Sequence, residues 1–148
     1  MTYIRNKNKT GIERSVAAAK SSDVVLFFAG DEAVLSGEVR SRADISLPGA
    51  QSEMLAAIKK TGKPIVLVVM AGRPLTIGKE VEEADAVLYA FHGGTMAGPA
   101  MADLIFGEAV PSGKLPVTLP KMVGQVPVYY AHKNTGRPGV NVDLIDDI

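Results

Sequence analysis

The chain has 148 residues, which suits one domain and leaves little room for two. Sixteen basic and sixteen acidic side chains cancel, so net charge gives no reason to expect nucleic acid or an anionic membrane as a partner. There is no cysteine, which excludes disulfides, thiolate catalysis and zinc–cysteine sites and leaves the redox compartment open. Apolar residues make up 47% of the chain, enough for a core. The longest apolar run, 64–71, is strand length and far short of the roughly 18 residues that cross a bilayer. The opening MTYIRNKNKT is basic with no apolar stretch behind it, so it does not read as a secretory signal.

The elements alternate between strand and helix. Thr10 and Glu13 have capping-box spacing, and Ile12, Val16 and Ala19 recur at helical intervals, predicting a helix that ends near Ser21. Asp23–Ala29 is apolar on both faces, as in a parallel strand covered on each side. A loop of roughly 16 residues follows, where 2–6 is usual for a strand-to-helix link. Pro48 suits the first turn of the next helix, whose stripe is Leu47, Met54, Leu55 and Ile58 and whose stop is Gly62. Pro64–Met70 reads as a second doubly buried strand, 80–84 as a short helix and Ala86–Tyr89 as a third strand. Gly93–Gly98 opens a further helix, with Thr95 as cap and Gly107 as stop. Lys114–Leu119 alternates like an edge strand despite Pro116. The expected architecture is a single α/β domain over 1–148 with a mainly parallel sheet, a core at about 10–120 and an irregular tail at 121–148. Three central strands and one edge strand are few for a doubly wound sheet. Either Thr2–Arg5 adds another, or the chain begins inside a larger domain; the second reading is preferred.

Chemistry concentrates in the long loop, at the carboxyl end of a strand where open α/β sheets bind ligands. Glu38, between Gly37 and Val39, is the leading candidate for a general acid/base. The plainer reading is a solvated carboxylate paired with Arg40 or Arg42. Asp31 and Glu32 directly follow the strand, as ligand-binding carboxylates often do, but the preferred reading is that they cap the loop or meet a neighbouring arginine. Arg42 and Asp44 are expected to form an ion pair that pins the loop. Gly93–Gly98 resembles a phosphate cradle but is neither G-x-G-x-x-G nor a P-loop, and a tight turn is the preferred reading. His92 stands at a strand end and is a candidate ligand contact; with His132 as the only other histidine, no metal site is expected. No serine sits in a G-x-S-x-G elbow.

Several stretches together carry a resemblance: 21–25; Arg42-Ala43-Asp44-Ile45-Ser46-Leu47-Pro48-Gly49-Ala50-Gln51; 62–68; Gly72-Arg73-Pro74-Leu75; 84–88; 102–107; Pro111-Ser112-Gly113-Lys114-Leu115-Pro116; 123–130; and 134–138. In order and spacing they resemble the second domain of family 3 glycoside hydrolases, the β-glucosidases and their relatives, and above all the bacterial periplasmic type. The resemblance implies a three-layer α/β/α sandwich, flavodoxin-like, here lacking its first strand and helix. It implies a retaining exo-β-glucosidase whose cleft is shared with a barrel domain outside this chain. In that scheme a barrel aspartate attacks the anomeric carbon, and a sandwich glutamate protonates the leaving oxygen and later activates water. The family's glutamate precedes an Arg-x-Asp-x-x-Leu-Pro motif, and the matching position is Glu38. Many relatives read Glu-Gly-x-Asp-Arg there; this chain reads Glu38-Val39-Arg40-Ser41-Arg42, the longer form of the periplasmic-type branch. The resemblance leaves Asp31, Glu32, Arg42, Asp44 and His92 as substrate-binding or loop-positioning candidates. The expected partners are a β-glucoside or oligosaccharide and the barrel domain, with no cofactor, no nucleic acid and no membrane. Self-association through an exposed sheet edge is a further expectation, and a periplasmic or secreted location follows from the resemblance. The isolated chain is expected to be inactive. The rival class is a stand-alone nucleotide- or anion-binding module that uses Gly93–Gly98.

Overall fold

The computed structural model describes residues 9–125, 127–131 and 133. The candidate strand at Thr2–Arg5, His132 and the 134–138 stretch lie outside those residues. In chain order come α1 (Ile12–Lys20), β1 (Val25–Gly30), a 3-10 turn (Ala33–Leu35), α2 (Gln51–Lys59), β2 (Ile65–Met70), α3 (Gly78–Glu83), β3 (Ala86–Tyr89), a second 3-10 turn (Gly94–Met96) and α4 (Ala97–Phe106). The strands form one sheet in the order β1-β2-β3, with both pairs parallel. The class is α/β, as the alternation predicts.

Register decides what is buried. Phe27 pairs with Leu67 and Ala29 with Val69, so these side chains share one face of the sheet. Helices cover that face: Ala19 of α1 and Leu55 and Ile58 of α2 join Ile65, Leu67, Val69, Leu75 and Ile77 in one buried cluster. Burying a side chain of this size stabilises the fold by roughly 1.5–3 kcal/mol. On the opposite face Val68 is fully buried between its register neighbours Phe28 and Leu88. Leu26 and Phe28, however, remain 40% and 51% exposed. β1 was expected to be covered on both faces; among the described residues only its Phe27–Ala29 face is. α4 contributes no buried residue, and its Phe106 is exposed.

Four local expectations need correction. α1 is capped by Gly11 with no side-chain cap bond, so the Thr10 capping box does not form its N-terminus. Pro48 precedes α2 by three residues instead of starting it; its carbonyl accepts a bond of 2.9 Å from the Gln51 side chain. α4 begins after the 3-10 turn with Met96 at the cap position, so Thr95 does not cap it. Lys114–Leu119 forms no strand. Pro116 has no N–H to give a ladder, and prolines at 111 and 120 bound the segment.

Candidate functional site

The sheet is parallel, so the segments after β1, β2 and β3 emerge at the same end. The long loop, the 71–77 connection and the 90–94 turn therefore meet there. The loop leaves β1 at Gly30, whose φ of 147° and lack of a side chain are both required. A Cβ at this position would sit 1.8 Å from the Met70 carbonyl oxygen. The Gln51 side-chain amide closes this end of the strand. Its oxygen accepts from Gly30 N–H and its nitrogen donates to Gly30 C=O, both at 2.9 Å. Asp31 N–H then continues the ladder to Met70 C=O at 3.0 Å. At the loop's far end Thr76 N–H bonds Ile45 C=O at 3.0 Å, and Leu47 drops into the core.

Asp31 is the buried charge of the loop. Its carboxylate is fully shielded from solvent and meets two arginines. Arg42 Nη1 donates to Oδ1, while Arg73 Nε lies 3.2 Å from Oδ2 in an ion contact without hydrogen-bond alignment. A buried carboxylate needs such pairing, because an unpaired one carries a heavy desolvation cost. Arg42 also donates to Ser46 C=O at 2.8 Å. Arg42 was expected to pair with Asp44. Instead Asp44 Oδ1 accepts from Ser46 N–H and Ser46 Oγ at 2.9 and 2.6 Å, a local turn bond. Asp31 lies inside, where a second charge is needed, whereas Asp44 is exposed to water.

Glu38 stands at the exposed tip of the loop. Among the described residues it makes no ion pair or hydrogen bond, so neither Arg40 nor Arg42 holds it. It occupies the second position of a turn closed by Arg40 N–H to Gly37 C=O at 3.2 Å. Val39, in third position, has φ of 61° and is 90% exposed. A β-branched residue in the left-handed region is strained, and turns with positive φ there ordinarily take glycine or asparagine. Strain of this kind clusters at functional sites.

Glu32 is exposed and its carbonyl caps the 3-10 turn, accepting from Leu35 N–H at 2.8 Å. It lines an open hollow of about 530 Å³ with Phe28, Pro48, Gln51 and Met54, to which Glu38 does not contribute. His92 is exposed but abuts the loop: a Cβ on Gly72 would fall 2.6 Å from its Nε2 and 3.2 Å from Ser36 Oγ. Glycine at 72 is what lets the three segments approach. The structure thus pairs Asp31 with Arg42 at the base of the loop, sets His92 beside Gly72 near Ser36, leaves Glu38 at the tip and places Glu32 with Asp31 on the wall of the hollow.

Arg73 was missed as a candidate. Besides Asp31, its Nη2 donates to Leu35 C=O at 2.6 Å and Arg40 C=O at 3.3 Å. Its own carbonyl accepts from Tyr89 Oη at 2.6 Å, and Tyr89 Oη in turn accepts from Leu75 N–H at 3.1 Å. Burial raises the Tyr89 phenol above its ordinary range, so it remains a donor. At the opposite end of the sheet, Asp85 Oδ2 accepts from Ile65 N–H at 2.8 Å. That bond holds its carboxyl below the usual range. No group of three or more metal-ligating side chains gathers among the described residues.

Such an arrangement defines an α/β domain in which a buried, doubly paired Asp31 braces a loop whose exposed Glu38 carboxylate has no partner among the described residues. The sequence profile of the glycosyl hydrolase family 3 C-terminal domain matches residues 1–144, and the chain belongs to that family. It is 50% identical over 127 residues to a periplasmic β-glucosidase of Salmonella typhimurium, covering 86% of this chain and 17% of that protein. It is 43% identical over 126 residues to a β-xylosidase of Formosa agariphila, covering 85% and 17%. Among solved structures, β-glucosidase from Listeria innocua in complex with glucose superposes with a TM-score of 0.85 at 38% identity, covering 91% of this chain and 19% of that one. The chain therefore spans under a fifth of the length of these relatives.

Proposed function

We propose that this chain is the acid/base-bearing part of a retaining exo-β-glucosidase. Glu38 protonates the glycosidic oxygen as it leaves and then activates the water that releases the sugar. A barrel domain elsewhere in the same polypeptide supplies the nucleophilic carboxylate and most of the sugar contacts. The observation that carries the reading is the exposed Glu38, without a partner among the described residues, on a strained turn whose base is fixed by buried charges. Family membership and relatives named as glucosidases support it. Retention requires the two carboxyls roughly 5–5.5 Å apart, so the tip must face the barrel across a cleft. A general acid must also hold its proton at working pH, and burial or a nearby carboxylate achieves that. Glu38 is open to water in this chain.

The domain assignment, 1–148 as one sandwich unit working with a separate barrel, rests on the same comparisons, as does a periplasmic or secreted site of action. The nucleotide-binding rival is not favoured: Gly94–Met96 is a 3-10 turn leading into α4, within the stretch matched by the family.

The test is Glu38→Ala in the full-length protein. Hydrolysis of a β-glucoside with a poor leaving group is expected to fall by about 10²–10⁴-fold, the usual worth of general acid catalysis. A glucoside with an activated leaving group should retain its first step, and azide should yield a β-glycosyl azide. Equal loss on both substrates without azide rescue would reject Glu38 as the acid/base. Running the matching β-xylosides in parallel assigns the sugar.

A further inference from the structure

The geometry points to Arg73 as the residue that positions Glu38. This inference rests on the acid/base reading and adds to it a clamp that reaches the loop from a different strand's connection. Arg73 follows β2, outside the loop altogether, yet its guanidinium touches the loop in three places. Nε lies against the buried Asp31 carboxylate at the loop's entry. Nη2 donates to the carbonyls of Leu35 and Arg40, which stand on the two sides of Glu38. A planar fork is suited to this, because one rigid group fixes several acceptors at once and stays charged at every working pH. The stem of the fork is anchored at its backbone, where the Arg73 carbonyl accepts from Tyr89 Oη, and the side chain is only 21% exposed. Arg73 does not touch the reacting atoms. It acts through the loop backbone, and its effect is on where the Glu38 carboxyl points.

The need for such a clamp is visible in the loop. The turn bearing Glu38 has its own 3.2 Å closing bond, and Val39 holds a strained positive φ. Left alone, that turn would relax and swing the carboxyl away from the leaving oxygen. Misplacement by about 1 Å can cost on the order of 10²-fold in rate.

The experiment compares Arg73→Gln, Arg73→Lys and Glu38→Ala in the full-length protein, with poor and activated leaving groups. A misplaced acid predicts loss of kcat on the poor leaving group by roughly 10–100-fold with little change in KM. On the activated leaving group, glycosylation should be near normal, measured as the pre-steady-state burst. Arg73→Lys keeps the charge beside Asp31 but lacks the fork, so it should fold and still show the selective loss. A companion readout is trypsin cleavage after Arg40 in the 148-residue chain, followed by mass spectrometry. It should accelerate in both Arg73 variants while the far-ultraviolet circular dichroism is unchanged. Equal losses on both substrates, or wild-type rates for Arg73→Lys, would overturn the clamp. If Glu38→Ala lacks the leaving-group selectivity, the acid/base reading falls instead, and trypsin still reports whether Arg73 braces the loop. Should Arg73→Gln fail to fold, Arg73→Lys alone decides.

Discussion

Val39, next to the proposed acid/base, carries a local backbone cost. Its left-handed backbone carries a steric penalty of about 1–2 kcal/mol for a residue with a Cβ. Glycine would remove that penalty but add unfolded-state entropy worth roughly 0.5–1 kcal/mol. Asparagine tolerates the same region without glycine's full entropy. Val39 is 90% exposed, so little packing is lost in either case. Val39→Asn is therefore expected to raise stability by up to about 1 kcal/mol, with Val39→Gly closer to neutral. Urea melts of the two variants check the order; a loss of stability in both would mean that the valine side chain has a packing role. Gly30 lies at the other extreme. A methyl group there meets the Met70 carbonyl and displaces the strand end that Gln51 closes. Gly30→Ala is expected to cost about 3 kcal/mol or more, seen as a fall in the urea midpoint, and wild-type stability would contradict the geometry.

Among the elements, β3 does more than its four residues suggest, because Tyr89 ties it to the connection carrying Arg73. Tyr89→Phe removes one donor and one acceptor and leaves Arg73 C=O and Leu75 N–H short of a partner. The expected loss is about 1–3 kcal/mol near neutral pH. The pH dependence has a definite sign. The Tyr89 phenol is raised by burial, so its contribution is complete below the ordinary value of about 10 and fades as pH climbs through the higher folded value. The stability gap between wild type and Tyr89→Phe should thus be constant from neutral pH to about 10 and shrink beyond it. A gap that widens in alkali would reverse the assignment. Elements of this kind differ in how well they can be read from sequence. β2 and β3 are legible because continuous apolar runs between turn signals leave few alternatives. The start of α2 is not, since proline's preference for a first turn competes with a loop that must carry Pro48 C=O to Gln51. Glu38 is legible as a candidate from its loop and its match to the family motif. Arg73 is illegible as a partner: its bonds to Leu35 and Arg40 span 38 and 33 residues and end on backbone carbonyls, which leave no mark in the sequence.

At the scale of the whole molecule, the two-carboxylate scheme predicts that the purified chain alone has no measurable turnover of an aryl β-glucoside. Adding the barrel in the same polypeptide should restore it, and robust activity of the isolated chain would remove the barrel from the scheme. The same separation has a physical side effect. β1 is an outer strand with no neighbour on its free side among the described residues, and Leu26 and Phe28 present apolar surface beside that edge. Open strand edges invite pairing with another chain, and adjacent apolar surface strengthens it. The isolated chain should therefore self-associate as its concentration rises, with sedimentation velocity showing growing dimer or larger species. Leu26→Lys should suppress this, since a lysine at 40% exposure reaches water and a charged edge resists pairing. The variant should keep its helical and strand content, because Leu26 lies outside the buried cluster. A wild-type chain that stays monomeric across a wide concentration range would show that this edge is already blocked. Association that persists unchanged in Leu26→Lys would move the contact to another surface, with the exposed Phe106 of α4 the next position to substitute.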